Sequence, residues 1–179
     1  MKGLDIVLTA FDGKHTAPLE AFAVRQAPTA AVIRALTARA TVPDERQQSA
    51  ATWLLKHYSE DGLAFSARQT AALLALLHQV TPWEAKLHLL QIFPGLAVPK
   101  DEAPVLSALL RGPAYRGDAN KLVRAWTYNA LAALAAQHPA QRAAVQVLLA
   151  HGANDAAASV RARLRGIAKA HGWARAGDG

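Results

Sequence analysis

Seven histidines (His15, His57, His78, His88, His138, His151 and His171) are the side chains best suited to chemistry near neutral pH, and their spacing argues against a shared site. No two lie four residues apart on one helix face, and no HExxH pattern occurs, so no paired-imidazole zinc site is implied. Five of them (His57, His78, His138, His151 and His171) fall where helices are expected to end, where an imidazole can meet the last carbonyls and the negative end of the dipole. The chain has no cysteine, which excludes disulfides, thiolate metal centres and a thiol nucleophile. No nucleophile elbow, phosphate-binding loop or dinucleotide glycine pattern is present. The carboxylates are too scattered for a dyad. Glu84, beside Trp83, is accounted for by a capping box begun at Thr81. No catalytic, cofactor-binding or metal-ligating residue is expected, and the chain reads as a binding protein rather than an enzyme.

The elements that must carry any site are helical. Half of the residues are apolar (52%), and alanine and leucine, which lose least rotamer freedom in a helix, dominate that share. Start signals are clear. Thr81-Pro82-Trp83-Glu84 and Ser66 with Gln69 read as capping boxes, and Asp44 with Gln47 as a weaker one. Between them the apolar residues follow helical spacing, as in Leu73, Leu76, Leu77 and Val80, or Val123, Trp126, Ala130 and Leu134. The pattern predicts helices near 17–26, 29–40, 44–58, 66–80, 82–93, 101–111, 118–137, 140–151 and 157–170. The segment Leu4 to Phe11 is ambiguous. Trp53, Trp83 and Trp126 recur in successive helices and are expected to fill gaps between alanine-rich neighbours. Trp173 lies beyond the last stripe, free to fold back as a cap.

The chain repeats itself. Asp118 to Ala125 (DANKLVRA) and Asp155 to Ala162 (DAAASVRA) match 37 residues apart, and steps of 38 back from Arg124 reach Lys86 and then Gln48. Each such helix precedes a turn and a shorter amphipathic helix. These features resemble the HEAT-repeat family, in whose pattern an aspartate precedes an arginine by six residues, here Asp118/Arg124 and Asp155/Arg161. The resemblance implies an all-α fold, an α-α superhelix or short solenoid of about four stacked helical hairpins. Repeats would run 44–80, 82–112, 118–152 and 157–171, with 1–43 a degenerate N-terminal cap. Residues 1–173 would form one repeat domain and 174–179 a flexible tail. Asp118, Arg124, Asp155 and Arg161 then form a structural ladder that sets repeat register.

Charge supplies the remaining clue. The net +7 lies wholly after residue 102: residues 1–102 hold ten basic and ten acidic side chains, and residues 103–179 hold ten basic against three acidic. Setting the ladder arginines aside, the candidates for partner or nucleic-acid contact are Arg111, Arg116, Lys121, Arg142, Arg163, Arg165 and Lys169. A helical array offers an extended surface, so recognition of a protein or peptide by a scaffold module is the first reading. Nucleic-acid binding through the basic C-terminal region is the alternative, and a DNA alkylation-repeat glycosylase stands behind it, lacking a convincing acid among aromatics. The longest apolar run, Ala71 to Leu77, is far too short to span a bilayer, and the first ten residues are weak as a signal peptide. A cytoplasmic location without membrane contact is therefore the expectation.

Overall fold

A computed structural model describes residues 2–174. Among them every regular element is a helix, and no helix is long and apolar enough to cross a membrane. The chain divides into two compact units, Met1–Ile92 and Phe93–Gly179. That division falls inside the stretch 82–112 expected to be one repeat.

The first unit comprises α1 (Lys2–Ala10), α2 (Ala17–Arg25), α3 (Ala30–Arg39), α4 (Glu45–Glu60), α5 (Ala67–Leu76) and α6 (Trp83–Ile92). α4 is its axis, packing on α1, α2, α3 and α6, while α5 lies against α3. A helix contacted on so many sides must be covered nearly all round, and α4 buries Ala50, Ala51, Thr52, Leu54, Leu55 and Tyr58. The ambiguous N-terminal segment is α1. Its Leu4 and Leu8, one turn apart, are buried, and Asp5 meets Arg39 of α3 at 2.5 Å.

Caps fix these helices. The Ser66–Gln69 capping box is formed, and the Asp44 carboxylate accepts from the backbone N–H groups of Arg46 and Gln47. The box expected at Thr81 and Glu84 is not. Instead the buried Gln48 side chain accepts from the Thr81 backbone N–H (3.2 Å) and donates to the Val42 carbonyl (2.8 Å). One amide thus ties the approach to α6 onto α4, and Glu84 is left outside any cap.

The second unit begins with a 3-10 turn, Phe93–Gly95, followed by α7 (Ala103–Arg111), α8 (Lys121–Gln137), α9 (Arg142–Gly152), α10 (Ala158–Ala170) and a final 3-10 turn, Gly172–Ala174. α8 is its axis and packs on α7, α9 and most extensively α10. Its C-terminus is held as α4 is held, by a glutamine using both ends of its amide. Gln137 donates to the Leu96 carbonyl and accepts from the Val98 N–H. Gly152 lets α9 approach α8 and α10: a Cβ there would stand 2.7 Å from Tyr128 Cζ and 3.0 Å from Leu164 Cδ1. Ala174, the first residue of the expected tail, is buried, because the final turn packs on α9 and α10 and carries it inward. Residues 175–179 lie outside the described residues.

Candidate binding groove between the last two helices

The two matched sequence copies adopt the same local geometry. Arg124 Nη1 donates to the carbonyls of Asp118 and Ala119, six and five residues back, and Arg161 Nη1 donates to those of Asp155 and Ala156. The Asp118 carboxylate accepts from the Asn120 N–H, and that of Asp155 from the Ala157 N–H, each holding the turn into its helix. Across the helices Arg124 grips Asp155 bidentately, Nε to Oδ2 at 3.0 Å and Nη2 to Oδ1 at 3.1 Å. The guanidinium beside Asp155 holds that carboxyl below its ordinary value of 3.8.

The seven basic candidates lie on α7, the turn after it, α8, α9 and α10. Four are engaged inside the second unit. Arg111 reaches Gln141 Oε1, and Arg116 Nε donates to the Arg111 carbonyl. Arg142 Nε donates to the Ala135 carbonyl while its guanidinium lies over Trp173, 5.6 Å from the ring centre. Arg163 lies closer still over Trp126, 3.9 Å from the ring centre, and burial there lowers its pKa below that of a free guanidinium. Lys121, Arg165 and Lys169 remain exposed, with no hydrogen-bond or ion-pair partner among the described residues. Lys121 opens α8, whereas Arg165 and Lys169 share one face of α10.

The tryptophans correct an expectation. Trp83 is 41% exposed, and Trp53 and Trp126 are only half-buried. They do not fill the core because alanines and leucines close it without them. Two lie flat under a cationic or imidazole side chain instead: Trp126 under Arg163, and Trp53 against His57. Trp173 does fold back. The final turn packs on α9 and α10, and the Trp173 carbonyl accepts from Gln146 Nε2.

Between α9, α10 and this turn runs a groove of about 530 Å³. Leu149 and Leu164 form its floor, while Ala150, Ala153 and Ala168 line it with small side chains. Val147 stands at its edge, 57% exposed, and Arg161 and Arg165 supply positive charge. Sequence reasoning missed this groove, although a signal was there. α9 carries apolar side chains on two faces: Val145 and Leu149 turn into the core, and Val147 and Ala150 turn out. No cluster of three or more metal-ligating side chains exists among the described residues. Compared with known proteins, the chain matches no family profile, no curated protein and no solved structure.

Proposed function

We propose that the chain is a HEAT-like binding module, and that the groove between α9 and α10 takes an acidic amphipathic helix from a partner protein. The observation that carries this reading is the groove itself: an apolar floor with small walls, an exposed valine and an arginine flank. Small side chains let a partner helix approach closely, and a helix in a groove is read through apolar anchors one turn apart. Arg165, and Lys169 one turn further along α10, favour carboxylates on that helix's flank. In support of the repeat reading, helices of like expected position lie on each other within each unit, α4 on α6 and α8 on α10. Four of the seven basic candidates have partners inside the protein, which keep their charge but limit how freely these side chains can follow a phosphate backbone.

A fluorescently labelled synthetic helix with leucines at i, i+3, i+4 and i+7 and flanking glutamates is the probe, read by anisotropy. The acidic peptide binds, the same peptide with lysines for glutamates does not, and Arg165→Glu with Lys169→Glu weakens the acidic peptide by about tenfold or more. Equal binding of both peptides, or tight salt-sensitive binding of a short DNA duplex in their place, overturns the proposal.

A further inference from the structure

The first unit contains a second, smaller cleft, of about 260 Å³, lined by the loop after α1 and by the N-terminal halves of α4 and α6. Its wall is Trp53, whose ring is backed by His57 at 4.9 Å and only 12° from parallel, so the indole is held rather than free to swing. Phe11 adds a second aromatic surface.

The polar groups of this cleft have a definite sense. Thr52 Oγ1 lies 2.8 Å from the Gln48 carbonyl, which requires its single proton, so towards His88 the hydroxyl can only accept. His88 Nδ1, 3.1 Å away, is therefore the protonated nitrogen, and Nε2 keeps its lone pair. Burial, with Lys56 nearby, pulls the His88 pKa down to about 3, which keeps the ring neutral. One turn earlier on α6, Glu84 has no hydrogen-bond or ion-pair partner among the described residues. Ser49, only 6% exposed, lines the cleft, and its hydroxyl has no partner among them either. A carboxylate, an imidazole lone pair and an unpartnered hydroxyl together call for a ligand rich in N–H donors. Lys14 and Arg46 line the same cleft, and Glu45 is the second carboxylate, so two cations balance two anions around a neutral imidazole.

Size and charge narrow the ligand. The cleft is smaller than the roughly 300–1,000 Å³ typical of drug-sized ligands, which points to a small metabolite. A lining with two cations, two anions and no net charge disfavours a ligand of net charge, such as a nucleotide, and matches a zwitterion. We propose that this cleft binds a free α-amino acid with a large apolar or aromatic side chain. Its ammonium group donates to Glu84, His88 Nε2 and Ser49, its carboxylate pairs with Lys14 and Arg46, and its side chain lies on Trp53.

Isothermal titration calorimetry of the full chain with L-phenylalanine and L-leucine, their N-acetyl amides and adenosine monophosphate tests this. The free amino acids release or absorb heat and saturate, and the blocked derivatives, which lack both charges, do not bind. Glu84→Gln, a partly exposed isosteric change, weakens binding by about tenfold to a hundredfold with an unchanged circular-dichroism spectrum. Three results overturn the proposal: no binding of either free amino acid at about 10 mM, equal binding of the blocked derivatives, or wild-type affinity in folded Glu84→Gln. Saturable binding of the nucleotide alone would assign the cleft to a different ligand class. None of these outcomes bears on the α9–α10 groove, which lies in the other unit.

Discussion

Asp155→Asn separates the charge of the Arg124–Asp155 pair from everything else Asp155 does. The asparagine keeps an oxygen for the Ala157 N–H, so the turn into α10 stays held while the anion disappears. What is lost is a bidentate contact between side chains only 21% and 15% exposed, with N–O distances of 3.0 and 3.1 Å. Exposed pairs contribute about 0.2–1 kcal/mol, and breaking a fully buried pair costs about 3–5 kcal/mol. This pair lies between those limits, and Arg124 keeps two backbone carbonyls as partners, so the cost is about 2 kcal/mol. For a chain of this size, unfolding cooperatively, that lowers Tm by roughly 4–8 °C. The assay is scanning calorimetry on a double-mutant cycle with Arg124→Met, where the expected coupling is about 1–2 kcal/mol. The pH dependence carries a sign. The folded pKa of Asp155 lies below its unfolded value of 3.8, so the pair's contribution is complete above about pH 5 and is lost as pH falls through the folded value. Strictly additive single mutants, or a wild-type minus Asp155→Asn difference that persists unchanged to pH 2, would refute the reasoning.

Other outcomes are equally specific. Gly152→Ala drives a methyl group into Tyr128 and Leu164; even after the helix-propensity gain of alanine it destabilises by about 1–3 kcal/mol in denaturant melts. Nitrogen-detected NMR of the imidazoles finds His88 as the Nδ1–H tautomer with no titration between pH 5 and 8, whereas His15, bonded to Asp12, titrates above its usual 6.5. A His88 signal that titrates near neutrality would contradict the account of that ring. Val147→Asp, at an exposed position, leaves Tm within about 1 °C and weakens the acidic peptide at least as much as reversing the charge of Arg165.

Helix positions were legible where the sequence carries start signals and a one-sided apolar stripe. Nine helices lie within a few residues of the expected spans, and the start signals read at Asp44 and Ser66 do accept backbone N–H groups at the starts of α4 and α5, whereas the cap of α8 is Asn120, which was not read as one. α1 was ambiguous because its buried face is carried by little more than Leu4 and Leu8, and Asp5 breaks the run until Arg39, distant in sequence, answers it. The polar clamps could not be read at all. Gln48 and Gln137 look like ordinary surface residues until folding brings both ends of their amides to backbone groups some six to forty residues away. The basic residues show the same limit. Sequence locates the charge near the C-terminus, but whether an arginine meets solvent or an indole depends on helix packing, as Arg163 over Trp126 shows. His88 read as one more unremarkable histidine because its partner, Thr52, lies 36 residues earlier.

Mapping the bound acidic peptide by amide and methyl chemical shifts tests the groove most directly. The account predicts perturbations concentrated at Val147, Ala150, Ala153, Leu164, Arg165 and Ala168, growing to saturation with peptide and vanishing in Val147→Asp. Saturating shifts centred anywhere outside α9 and α10, or no shift with the peptide in large excess, would contradict it.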